Sequence, residues 1–215
     1  MLARYHRRTM DTGITQQIRE PMAYLRGHLA GLIRFDENVL PIKVVIGPEG
    51  RLVAPVMVAM LTAGDTVLQL PDEEEDSMHL MVTLESFEAK GPDGALADRW
   101  RIYHGEPEDV RWAIMHLDAA RLAGVFYDGD ALLVPNILSR SEPAICRWAN
   151  ESLVDGLRSA CMKQKKIELN DPRLVGVDPL GFDVRGRFDV VRLDAPELIH
   201  DEAQARSMLE AVISD

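Results

Sequence analysis

The sequence predicts an α+β protein, an antiparallel β-barrel followed by a small domain of helices and strands. Three observations carry this. Between residues 36 and 136, short β-branched or alternating runs recur, punctuated by the turns Gly47-Pro-Glu-Gly50 and Gly91-Pro-Asp-Gly94. Apolar stripes at three- and four-residue spacing stand on either side of this region. With 47% hydrophobic residues in 215, the chain can bury a sizeable core without disulfide or metal staples.

The elements follow in order. Ile18, Met22, Leu25, Leu29, Leu32 and Ile33 form the stripe of an amphipathic helix, with Pro21 in its first turn, so residues 1–35 read as an N-terminal helical segment. The barrel, 36–136, opens with the β-branched run Ile42–Ile46 and the apolar run Leu52–Leu61, a hairpin about the first turn. Thr66–Leu70 is a third strand, and His79–Glu88 alternates well enough to be a fourth. Asp98–His104 reads as a fifth, with Trp100, Ile102 and His104 on one face and Arg99, Arg101 and Tyr103 on the other. Pro107 to Arg121 has helical spacing, with Val110, Ile114 and Leu117 on one side and Trp112 and His116 on another. Val125–Pro135 returns to strand character about the turn signal Asp128-Gly129.

Residues 137–215 form the second domain. Ser139 and Glu142 are spaced as a capping box for a helix carrying Ile145, Trp148, Ala149, Leu153, Leu157 and Ala160. Lys163, Lys165 and Lys166 suit its C-terminal end, where the helix dipole favours cations. Strands over Leu174–Val177 and Phe188–Leu193 follow, then a last helix from Asp201 with Ala205, Met208, Leu209, Val212 and Ile213 inward.

Composition narrows the function. A net charge of −11 with no domain-sized basic stripe argues against nucleic acid. No uninterrupted apolar stretch is long enough to span a membrane, and the basic lead Arg4, His6, Arg7 and Arg8 runs into Asp11, Gln16, Gln17, Arg19 and Glu20 rather than a signal core. Cys146 and Cys161 are the only cysteines; on one helix they would stand roughly 22 Å apart, too far for a disulfide. The expectation is a cytoplasmic protein with two buried thiols and no thiolate metal site. Gly-rich phosphate loops, G-x-S-x-G elbows and H-E-x-x-H pairs are missing, and no catalytic constellation stands out. Asp128 and Asp130 flank a turn that accounts for them.

The decapeptide Gly176-Val-Asp-Pro-Leu-Gly-Phe-Asp-Val-Arg185 is the most distinctive stretch. Asp178-Pro179 suits a turn, Gly181 a positive φ, and Asp183 nearby backbone N–H groups. With Ser141-Glu142, Asn150, Arg192-Leu-Asp194 and the helix start Glu202-Ala-Gln-Ala-Arg206, it resembles the second domain of the haem-utilisation (HugZ-type) family. That family lies within the pyridoxamine 5'-phosphate oxidase-like, FMN-binding split-barrel superfamily. The resemblance covers residues 139–215, and at pattern level about 36–136. It implies a split antiparallel β-barrel of the FMN-binding type with a small α/β C-terminal domain, a homodimer sharing sites across its barrels, and haem or a related tetrapyrrole as ligand.

Where the family has two histidines in a His-Met-Asn-x-Asp-His block, this chain has Trp148 and Leu153, keeping Asn150. The sequence runs only to Asp215, soon after the last helix, so an axial ligand from a following tail is not expected. FMN is disfavoured because the acidic run Asp72-Glu-Glu-Glu-Asp76 follows the third strand, where a phosphate would need cationic donors. For haem, His79 and His104 are the candidate iron ligands, with Arg99 and Arg101 to meet the propionates. His116 reads as packing against Trp112, and His200 as a loop residue. The alternative is a non-catalytic interaction module that kept the fold, binding a protein partner; an FMN-dependent oxidoreductase is the third reading.

Overall fold

The first element is a helix, α1 (Gln16–Gly27), whose Met22 and Leu25 are buried as the stripe predicts. The computed structural model of the chain describes residues 11–71, 77–108 and 111–214. The basic lead residues Arg4 to Arg8, the acidic run Asp72–Asp76 and Val110 lie outside these. The helix stops at Gly27 rather than continuing through Ile33, and Pro21 falls in its second turn. Leu29 leads instead into β1 (Ala30–Phe35), which contains Leu32 and Ile33 and in which Gly31, Ile33 and Phe35 point inward in strand alternation.

Strands β2 (Asn38–Lys43), β3 (Val45–Ile46), β4 (Leu52–Val56), β5 (Thr66–Leu70) and β6 (Met78–Phe87) follow, with a 3-10 turn at Val58–Thr62. After α2 (Gly94–His104) come β7 (Arg111–Leu122) and β8 (Val125–Asp128). The antiparallel sheet has the order β2-β1-β5-β6-β7-β4-β3, with β8 added to β7. Its two ends are one piece of chain: β2 pairs with β1, and one residue later β3 pairs with β4. The bend at Val44 therefore curls the sheet round a core that includes Ile33, Leu52, Leu68, Leu80 and Met115.

The structure corrects two predicted elements. Residues 94–104 form a helix, not a strand, because Leu96, Ala97, Trp100 and Tyr103 share a helical face that buries against Val45, Val53, Trp112 and Ile114 on the outside of the barrel. Residues 111–122 form a strand, not a helix. There the register with β6 slips between Met81 and Val82, so Asp118 is an extra residue. The bulge spaces the inward residues Leu117 and Ala120 by three in an otherwise two-residue rhythm of Ala113, Met115, Leu117, then Ala120 and Leu122. That spacing imitates a helical stripe.

Beyond β8, Asp128 Oδ1 accepts from Asp130 N and caps the short helix α3 (Gly129–Leu132). The helical stripe after Ser139 divides at Leu153 into α4 (Glu142–Ser152) and α5 (Val154–Lys165), which hold Cys146 and Cys161 as free thiols. The residue before α4 is Ser141, whose side chain makes no cap, and Glu142 turns inward, so the predicted capping box does not form. Strands β9 (Arg173–Asp178), β10 (Gly181–Arg185) and β11 (Val190–Asp194) make a second antiparallel sheet, and α6 (Glu202–Ser214) closes the chain. The second core draws on Leu138, Ile145, Leu157, Phe182, Leu193 and Leu209, among others. The architecture is an α+β split barrel with a small α/β domain. No helix among the described residues is long and apolar enough to cross a membrane.

Candidate functional site

The decapeptide is the hairpin β9–β10, and nearly every residue in it has a structural partner. Asp178 Oδ1 accepts from Leu180 N at 2.8 Å, making the tight turn. Gly181 has φ +152°, and a Cβ there would overlap the Leu193 carbonyl, so only glycine fits. Phe182 and Val184 are wholly buried in the second core. Arg185 Nη1 donates to the carbonyl of Ile102 at 2.6 Å, near the C-terminal end of α2.

The two aspartates of the hairpin anchor a buried chain of charges between the two cores. Arg192 clamps Asp178 through two bonds of 2.7 and 2.8 Å and reaches Asp183 Oδ1 at 2.9 Å. Arg26 of α1 meets Asp178 Oδ2 at 3.1 Å from the other side. Asp183 Oδ2 accepts from the Tyr103 hydroxyl at 2.8 Å, so its partners are side chains rather than the predicted backbone N–H groups. Arg99 donates to the Tyr103 oxygen, to both oxygens of Glu142 and to the Ile46 carbonyl. Glu142 Oε1 in turn accepts from Val177 N of β9. Three guanidiniums thus face three carboxylates, and the set is electrically balanced.

Burial alone would push the Asp178 carboxyl up, but Arg192 and Arg26 outweigh it and hold the group well below the usual carboxylate range. The Tyr103 phenol is driven well above its ordinary value, first by burial and then by Asp183. Both cysteines are pushed up chiefly by burial, Cys146 to about 12 and Cys161 to about 11, which keeps them as unreactive thiols.

The predicted site residues separate. Arg99, Arg101 and His104 all lie on α2, whereas His79 sits half-buried on β6, where its neighbours in register are Gln69 and Arg121. Arg99 is taken up by the buried network, and Arg101 is held by Asp98 and Glu106 with its guanidinium over the Trp112 ring. His104 Nε2 lies 2.9 Å from the Val44 carbonyl. Burial lowers its pKa to about 4, so the ring is neutral at pH 7 and Nε2 carries the proton. Trp112 meets Trp100 edge-on rather than packing with His116, which instead meets Glu85 at 2.7 Å on the barrel surface. The retained Asn150 pairs through its side-chain amide with both backbone groups of Leu174, completing the edge of β9. In the degenerate block, Trp148 lies under the Arg206 guanidinium, 4.7 Å from it.

The histidine that sequence reasoning passed over is His28. It caps the C-terminal end of α1, stacked on Tyr24 with 4.3 Å between rings, and its Nδ1 lies 2.8 Å from the Tyr24 carbonyl. A carbonyl can only accept, so Nδ1 holds the proton, and in the neutral ring Nε2 keeps its lone pair. His28 borders two adjoining clefts along β11. One, of about 480 Å³, runs past Ala23, Ile167 and Val190. The other, of about 190 Å³, has His104, Lys43, Pro71 and Phe188 on its walls. Both imidazoles thus border one cavity. Phe188 is 73% exposed at its rim, and Lys43 Nζ donates to the Phe188 carbonyl at 3.3 Å. A position one turn after Tyr24 at a helix end was the available signal, and alone it is slight. No cluster of three or more metal-ligating side chains occurs among the described residues.

Comparison with solved structures finds similar chains. A protein of unknown function from Agrobacterium tumefaciens superposes with a TM-score of 0.70 at 14% identity, over 95% of this chain and 99% of that one. A heme-binding protein from Mycobacterium smegmatis aligns at TM-score 0.46 and 14% identity, over 94% of this chain and 97% of that one. No protein-family model matches the sequence. No curated protein matches it either.

Proposed function

We propose that this protein binds haem or a closely related tetrapyrrole in the cleft between α1, the end of β2 and the edge of β11, with His28 as the iron ligand. The observation that carries the reading is the orientation of His28, whose Nδ1 is fixed by a backbone carbonyl while Nε2 is left as the free ligand atom of a ring beside the cavity. Taken together, the two adjoining clefts have a lining that suits the group. Leu29, Pro71, Val190 and the exposed Phe188 give apolar walls for a macrocycle, and Lys43 offers a cation for a propionate. The family resemblance of the second domain supports the same ligand class. Arg99 and Arg101 serve the fold instead, one inside the buried network and the other against Trp112. His104 stands on the second wall, its Nε2–H committed to Val44.

When bound, haem would supply the redox-active iron; the chain's own residues orient the ligand imidazole, wall the macrocycle and neutralise its carboxylates. The homodimer expected from the resemblance belongs to the same proposal, and the barrel exposes Met57, Val58, Met81 and Phe126, which a second copy would cover. Titration of the purified protein with hemin is the test. A shifted Soret band that is lost in His28→Ala is expected, and an unshifted band at micromolar hemin overturns the reading.

A further inference from the structure

A second concavity lies on the far side of the β10–β11 turn from the His28 cleft. It is a groove of about 710 Å³ between the end of α2 and the second sheet, within the size range of small-molecule sites. Ile102, 53% exposed, and Val175 give it an apolar floor, and Arg173, Arg185 and Arg187 border it with Asp171 as the only acid. The groove is therefore cationic in a chain whose net charge is −11.

The register sets two of these arginines against each other. Arg173 of β9 stands directly opposite Arg185 of β10, and like charges in that position repel across a strand pair. The neighbouring network shows how this fold treats an arginine with a structural task, since Arg99 and Arg192 each make two or more hydrogen bonds to carboxylates, at 2.7 to 3.0 Å. The groove arginines differ. Arg173 has only a long 3.8 Å approach to Asp171, Arg187 lies over the Phe188 ring, and Arg185 uses only Nη1, on the Ile102 and Arg101 carbonyls. Their remaining N–H donors have no partner among the described residues.

We infer that this groove is a binding site for a small organic polyanion, a molecule with two or more carboxylate or phosphate groups on an apolar body. The opposed guanidiniums grip the anionic groups, and Ile102 and Val175 take the apolar part. The inference stands on different residues from the haem reading and does not depend on it.

The test uses bis-ANS, a fluorescent dye with two sulfonates on an aromatic body, and pyrophosphate as a competitor without the apolar part. In the full chain, Arg173→Ala/Arg187→Ala, both exposed positions, should raise the dye Kd by about tenfold, as expected for two lost exposed charge contacts. Pyrophosphate should displace the dye from the unmodified protein. Lys90→Ala/Lys163→Ala, which removes the same charge from exposed positions elsewhere, should leave the Kd unchanged. Equal weakening in both double variants, or a dye that pyrophosphate does not displace, overturns the inference.

Discussion

Replacing Gly176 by alanine tests whether the decapeptide is shaped around the buried hydroxyl of Tyr103. An added Cβ would overlap the Tyr103 hydroxyl outright and stand 2.7 Å from Asp183 Oδ2 and 2.9 Å from Tyr103 Cζ. The phenol has to retreat, which breaks its 2.8 Å bond to Asp183 and its 3.0 Å bond from Arg99. A hydrogen bond to a charged group contributes about 1.5–3 kcal/mol, and overpacking costs about 1–3 kcal/mol more. Gly176→Ala should therefore destabilise by about 3–5 kcal/mol. Tyr103→Phe loses only the hydrogen bonds and should cost about 1.5–3 kcal/mol. In the double variant the overlapping atom is gone and the bond is lost only once. Its cost should fall short of the sum by about 2 kcal/mol, with the 2.9 Å approach to Cζ keeping the rescue incomplete. Urea denaturation of the four proteins closes the cycle. Additivity within about 0.5 kcal/mol would show that the glycine is not there for the tyrosine.

Two further outcomes follow from the buried charges. Arg192→Met leaves Asp178 and Asp183 with Arg26 as the one guanidinium still in contact with either, and should cost about 3–5 kcal/mol in urea denaturation; a loss below about 1 kcal/mol would contradict the network. His104 has its folded pKa lowered to about 4 from an ordinary 6.5, so the unfolded chain binds the extra proton between those values. Its contribution, up to about 3 kcal/mol, is present above pH 6.5 and is lost as pH falls toward 4. His104→Asn should flatten the stability–pH curve over that window, and an unchanged slope would remove the assignment.

What the sequence disclosed depended on whether the relevant physics was local. Turn chemistry is local, so Asp178, Pro179 and Gly181 could be read as a turn, and the turn is there. The partners of Asp183 come from residues 103 and 192, and no spacing in the sequence points to them. Strand β5 (Thr66–Leu70) and helix α6 lie close to where periodicity puts them. Strand β7 was disguised by its own bulge, and α2 by the alternation of arginine with Trp100 and Ile102 at 99–102 that hid the helix-forming Ala95-Leu-Ala97 before it. The site suffered most. Arg99 and Arg101 have the chemistry for a propionate, but the fold had already committed them, and His28 becomes a candidate only when β11 and Phe188 are brought beside it.

The balanced set of charges has a consequence for how the chain holds together. Its acids and bases are divided unequally along the sequence: Arg26 and Arg99 come from the barrel half, whereas Glu142, Asp178 and Asp183 come from the second half, which has only Arg192 to answer them. Each half brings an uncompensated excess to the shared face, two cations from one and two anions from the other, and burying either excess without the other is costly. Each half of the chain is the counterion of the other. The two larger hydrophobic cores, which share no residue, are thereby tied into one thermodynamic unit, which should melt in a single transition and whose severed halves should seek each other out.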